Sequence, residues 1–261
     1  MRRELLIIAF VMLISLASCH SLYAEFPQKL SANSQAKIWI AYGHGGSAES
    51  DLESLQKADL ITPSGDASAI QLEPYKSGLL GSISLSEKGC YLLDLQAETA
   101  LFDPTWYGSS GYRSLIEKYA HVLIPVESGN GYSWSDGEGL EIVPKTDPYG
   151  LKSGEKFSAT AMWNGKPIAG SFSATIARLP DDVLVIQHSQ QTEAEGTCSD
   201  GSMSFEIDKP GLWVVSFDAT IDEPGSWTAS SDDPKGHYKK GDKLQYDSIA
   251  PTAFLTFWAG L

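Results

Sequence analysis

The feature that most constrains this chain is its cadence: apolar runs of about four to eight residues, each closed by a Gly, Asn, Asp or Pro turn. Runs that short match strands better than helices, so the cadence predicts an all-β protein. Lys37–Tyr42 (KIWIAY) alternates, with Ile38 and Ile40 on one face. Leu79, Leu80, Ile83 and Leu85, punctuated by Gly78 and Gly81, begin a strand pair, and Cys90–Leu95 (CYLLDL) follows the Glu87-Lys88-Gly89 turn. With 42% apolar residues the chain has enough material for a core.

One segment breaks the cadence. Tyr112–Ala120 places Leu115, Ile116 and Tyr119 at i, i+1 and i+4, one face of a helix, with Arg113, Glu117 and Lys118 opposite. The spacing predicts one short helix feeding a strand at His121–Val126. The Gly- and Ser-rich stretch from Glu127 to Glu138 then predicts a boundary between two β-sandwich-like domains, over 37–130 and 138–261.

Beyond it, strands are expected at Leu140–Val143, Lys156–Trp163, Gly170–Arg178, Val183–His188, Ser202–Ile207, Leu212–Phe217 and Ala253–Trp258. Asn164-Gly165 between strand-like flanks is a strong hairpin signal, because a type I′ turn needs positive φ at both central residues. The second domain reads as an immunoglobulin- or transthyretin-like Greek-key sandwich.

The N-terminus predicts export. Arg2 and Arg3 precede Leu5–Ala17, an uncharged apolar run of 13 residues. A helix needs about 20 residues to span a bilayer, so the run reads as a secretory signal rather than a permanent anchor. It ends in Leu16-Ala17-Ser18-Cys19, which resembles the lipobox of bacterial lipoproteins. Cys19 is therefore the expected lipid anchor, residues 1–18 the signal peptide and residues 19–36 a tether. Cleavage after Ala24, leaving a soluble periplasmic protein, is the alternative. Only Cys90 and Cys198 remain, and they read as separate buried thiols.

Acidic residues outnumber basic ones by 33 to 19, a formal charge of −14. Losing Arg2, Arg3 and Glu4 with the signal takes the charge to −15. Nucleic acid is excluded as a partner, since phosphate binding needs a basic face. Cations are attracted, and the charge favours solubility.

Four ordered pieces resemble one family. They are Tyr42-Gly43-His44-Gly45, the stretch Glu117–Val126, the stretch Gly139–Pro148 followed by Leu151–Glu155, and the set Gly165–Gly170, Asp200-Gly201 and Lys209–Trp213. Together they resemble the NikM-like family of exported components associated with nickel and cobalt uptake. The resemblance runs from about Lys37 to the C-terminus. It implies a metal-binding accessory that presents Ni²⁺ or Co²⁺ to a membrane transporter. Two positions depart from the family pattern: Cys19-His20 stands where members carry an Ala-His start, and His121 stands where lysine is common.

No metal motif is written in the chain: there is no H-x-H, H-E-x-x-H or C-x-x-C. A site would have to be assembled across the fold. His44, between glycines after a strand and followed by Glu49, Asp51 and Glu53, is the leading candidate, with Asp51 as carboxylate. His237, beside Asp232 and Asp233, completes the candidate set, while His121 and His188 read as structural histidines. The chain is not expected to be an enzyme. It has no G-x-S-x-G turn, and the pairs Asp181-Asp182 and Asp232-Asp233 point to opposite faces of an extended chain. Trp106, Tyr107, Tyr112, Tyr132 and Trp134 support a competing reading, a metal-free cell-envelope module that binds carbohydrate or protein. A hydrolase ranks third.

Overall fold

The computed structural model describes residues 20–44, 47–50, 52–180 and 192–261, with the side chains of 44 and 47–50 outside that description. Among the described residues the protein is all-β, with no helix of seven residues or more. In chain order the first strands are β1 (Ser21–Glu25), β2 (Ser34–His44), β3 (Ser47–Ser50), β4 (Lys57–Ile61), β5 (Ala67–Ala69), β6 (Leu72–Tyr75) and β7 (Gly78–Leu85). There follow β8 (Gly89–Gln96), β9 (Ala100–Phe102), β10 (Ser114–Val126), β11 (Leu140–Pro144), β12 (Glu155–Trp163), β13 (Lys166–Pro167) and β14 (Gly170–Arg178). The last are β15 (Ala194–Cys198), β16 (Ser202–Ile207), β17 (Gly211–Asp218), β18 (Gly225–Thr228), β19 (Lys243–Tyr246) and β20 (Ser248–Ala259). The strand expected at Val183–His188 lies outside the described residues.

Three sheets stack as layers. The central sheet has the order β15-β14-β17-β20-β10-β8-β4-β5, with β9 added on β10. Its two faces carry separate cores, and the alternation along single strands shows how. On β17, Leu212 and Val214 join one core while Trp213, Val215 and Phe217 join the other. On β8, Tyr91, Leu93 and Leu95 face the first and Cys90 and Leu92 the second. The first core is closed by the sheet β1-β2-β7-β6, with Leu22, Ile38, Ile40 and Ile83 fully or almost fully buried. The second is closed by β11, β12, β13 and β16, which supply Ile142, Phe157 and Phe205. Each large side chain buried this way stabilises the fold by about 1.5–3 kcal/mol before entropy is counted. Strands covered on both faces read as continuous apolar runs, which is why CYLLDL and LWVVSF show little alternation.

The central sheet takes strands from both sides of the 127–138 stretch: β4, β5, β8, β9 and β10 before it, and β14, β15, β17 and β20 after it. The join is the parallel pair β10–β20, in register from Ser114↔Ser248 to Val122↔Thr256.

Two expectations are corrected. The helix at 112–120 is instead the first half of β10. Its backbone is claimed by three ladders, to β20, to β9 over Ser114–Ile116 and to β8 over Tyr119–Val126. A nine-residue helix with a costly nucleus does not compete with that pairing. The second correction is at residues 19–36, where a tether was expected. Ser21–Glu25 forms β1, antiparallel to β2, and Leu22, Tyr23 and Ala24 are completely buried. The Asn164-Gly165 turn is as expected: φ is 48° and 73°, and Trp163 pairs with Lys166. Cys90 and Cys198 are free and buried.

Candidate functional site

The first polar region is the open end of the sandwich where β1 begins. The β1–β2 ladder runs from Glu25↔Trp39 to Ser21↔Gly43. One further step of that register sets His20 opposite His44. Positions opposite each other in an antiparallel pair share a sheet face and lie about 4.5–5.5 Å apart at Cβ. The His20 ring meets Tyr42 edge-on, with centroids 5.5 Å apart. The Tyr42 hydroxyl in turn accepts a hydrogen bond from Lys118 Nζ, and that ammonium lies 4.2 Å from the Tyr42 ring centroid. Lys118 sits on the inner side of β10, and burial pulls its amine down to about 8 against the opposing pull of Asp218. The Asp218 carboxyl is itself raised by burial, although it accepts from the Thr252 hydroxyl at 2.8 Å. Sequence reasoning placed His20 in a tether and so missed its pairing; only the strand register reveals it.

The other predicted residues fall elsewhere or outside the description. The His44 side chain and all of Asp51 lie outside the described residues, as does His188. His237 lies between β18 and β19, far along the chain from the β1–β2 end. Its Nδ1 is 2.7 Å from Asp233 Oδ2, its backbone N–H donates to the same oxygen, and its ring stacks flat on Trp106 at 4.3 Å. These contacts staple a loop. Among the described residues no group of three or more His, Cys, Asp or Glu side chains is arranged to hold a metal ion. The aromatic set also divides. Trp106 and Tyr107 meet His237, whereas Tyr132 and Trp134 pack on the second core and Trp134 meets His121 edge-on at 5.8 Å.

The second polar region was not anticipated. A cleft of about 210 Å³ opens between β4, β8, β10 and the residues leading into β11. Asp94 on β8 is the register partner of His121 on β10 and of Asp59 on β4, so Lys57 is its diagonal neighbour. Lys57 Nζ is 2.6 Å from Asp94 Oδ2 and 3.4 Å from Asp136 Oδ2. Burial lowers the Lys57 amine, but the two carboxylates outweigh it and the net direction is upward. His121 is buried, which pulls its imidazole down; Asp94, 3.7 Å away, only partly restores it. Glu141 is also buried, and burial pushes its carboxyl up to about 7. Ser135 Oγ–H at 2.7 Å opposes that rise, and the Asp136 charge adds to it. Gly139, at φ 62°, completes the wall: a Cβ there would lie 2.6 Å from the Tyr119 ring. No motif marks this cleft, because Lys57 and Asp136 are 79 residues apart.

The fold and its two polar regions define an all-β protein of the sandwich class. More particularly, the chain belongs to the family described as Domain of unknown function (DUF4198), whose model matches residues 17–221. No curated protein matches it. Among solved structures, a DUF4785 family protein from Legionella pneumophila is similar at 12% identity and a TM-score of 0.28, over 86% of this chain and 55% of that one. The chain thus spans about half the length of that protein.

Proposed function

We propose that this protein is an exported, lipid-anchored accessory of divalent-metal uptake that binds Ni²⁺ or Co²⁺ at the open end of the sandwich and passes it to a membrane transporter. The observation that supports the reading is the β1–β2 register, which ends at Ser21↔Gly43 and, continued by one step, brings His20 level with His44. Two imidazoles on neighbouring strand positions suit nickel and cobalt, with oxygen donors completing the shell. His237 is left out of this ligand set because Asp233 and Trp106 already engage it. The resemblance to the NikM-like family and the −14 charge support the same reading.

Anchoring at Cys19 is supported by β1. Cleavage after Ala24 would discard Leu22, Tyr23 and Ala24, three core residues with no exposed surface. Cleavage before Cys19 keeps the whole strand. The lipid would then sit one residue from His20, holding the open end of the sandwich against the membrane, where a transporter would be met.

Calorimetry with Ni²⁺ and Co²⁺ on the mature chain carrying Cys19→Ser tests the metal. Saturable binding tighter than ~100 µM is expected, and its absence would overturn the reading. Labelling with a radioactive fatty acid tests the anchor: label lost in Cys19→Ser supports it, and unlabelled wild-type protein overturns it.

A second reading draws on exposed aromatics. Phe102, Tyr107 and Tyr112 are at least a third exposed, and Phe102 stacks on Tyr107 at 5.7 Å. Such faces suit a metal-free envelope module that binds carbohydrate or protein.

A further inference from the structure

The cleft beside His121 is separate from the open end of the sandwich, and its chemistry is that of a site for an organic cation. Four carboxylates line it, those of Asp94, Asp136, Glu138 and Glu141, against the single ammonium of Lys57. With Glu141 protonated, the lining still carries three negative charges and one positive, a net of −2. A low-dielectric cleft with that imbalance favours a dication.

Acidity alone does not make a site, and His121 supplies the second observation. Its side chain is only 7% exposed and lines the cavity, yet neither ring nitrogen has a hydrogen bond; the nearest carboxylate oxygen, on Asp94, is 3.7 Å away. At 3.7 Å that contact is too long for a hydrogen bond. Burial keeps the ring neutral, so one nitrogen presents a lone pair to whatever occupies the cleft.

The kind of cation follows from the geometry. No three of these carboxylates and imidazoles converge as a metal shell among the described residues. Instead an alkylammonium already bridges two of them, Lys57 reaching Asp94 at 2.6 Å and Asp136 at 3.4 Å. Spread acceptors of this sort suit N–H donors at the two ends of a short chain. The volume of about 210 Å³ leaves room for a diamine with a four- or five-carbon chain. An α-amino acid would bring a carboxylate into an already negative cleft.

We propose that this cleft binds a short aliphatic diamine, with Asp94, Asp136 and Glu138 pairing its ammonium groups and His121 accepting one N–H.

Titration of the mature Cys19→Ser chain with 1,4-diaminobutane at neutral pH and low salt tests it. Saturable binding at one site is expected, with the His121 ring resonances shifting in step. Asp136→Asn and, independently, Glu138→Gln should each weaken binding at least tenfold, and free lysine should bind at least tenfold more weakly than the diamine. The proposal is overturned by no binding tighter than ~1 mM, by equal affinity in both carboxamide variants, or by Ni²⁺ displacing the diamine one for one, which would make the cleft a metal site.

Discussion

The open end of the sandwich and the cleft handle charge in opposite ways. At the open end, one step beyond the Ser21↔Gly43 pair lie His20 and His44, and the Lys118 ammonium is held at Tyr42 with its amine pulled down to about 8. In the cleft the cation is already inside: Lys57 lies between Asp94 and Asp136, while burial pulls the His121 imidazole down and pushes the Glu141 carboxyl up. A −14 chain attracts cations everywhere, but its net charge does not say where one would rest. Desolvation and immediate neighbours decide that.

The largest way to break this contrast is at β1. Tyr23 is fully buried, so Tyr23→Ala should cost about 3–5 kcal/mol, measured by denaturant unfolding. A change below about 0.5 kcal/mol would return β1 to the status of a tether and remove His20 from the site.

Next comes Glu141. Its carboxyl is raised above the ordinary value of 4.5 to about 7 in the folded state, so the folded protein holds the proton more tightly than the unfolded chain. By linkage, that stability is fully present below about pH 4.5 and is lost as pH rises through about 7. Glu141→Gln removes the titration. It should gain on the order of 2 to 3 kcal/mol over wild type at pH 8 relative to pH 4, read from paired unfolding curves. A pH-independent difference would mean the cleft does not perturb the group.

Smaller effects separate the two regions. His20→Ala and His44→Ala should each weaken Ni²⁺ binding at least tenfold, about 1.4 kcal/mol, by calorimetry, while binding in the cleft stays as it was. Loss of both activities together would merge the two sites into one. The smallest effect is remote from both. Asn164 sits at φ 48° in the hairpin turn, so Asn164→Ala should cost about 1 kcal/mol and leave both ligand affinities unchanged.

Much of the strand content was legible. Ser202–Ile207 alternates because it lies at the surface of a sheet with one buried face, and its burial follows the pattern residue by residue. Asn164-Gly165 was legible because the turn type demands those residues locally. The first half of β10 was not. Glu117 and Lys118 look like the polar side of a helix whose apolar side holds Tyr119, yet both have a tertiary reason to be there: Glu117 accepts from the Tyr119 hydroxyl, and Lys118 reaches across the core to Tyr42. β1 was missed because a five-residue strand directly after a signal-like run carries no pattern of its own. Of the candidate metal residues, His44 was visible through its glycine neighbours, whereas His20 became a candidate only through pairing across 24 positions.

The amino-acid sequence by itself determined that this chain is built of strands, where about half of them lie, and that its charge is strongly negative. Those properties are local or additive, and each residue contributes to them without reference to distant ones. Tertiary structure decided the rest: that a central sheet draws on both halves of the chain, that β1 is core, and that Lys57, Asp94, His121 and Asp136 share one cleft. Such juxtapositions depend on which strands become neighbours, and strand order is set by the burial of whole faces rather than by any segment's own pattern.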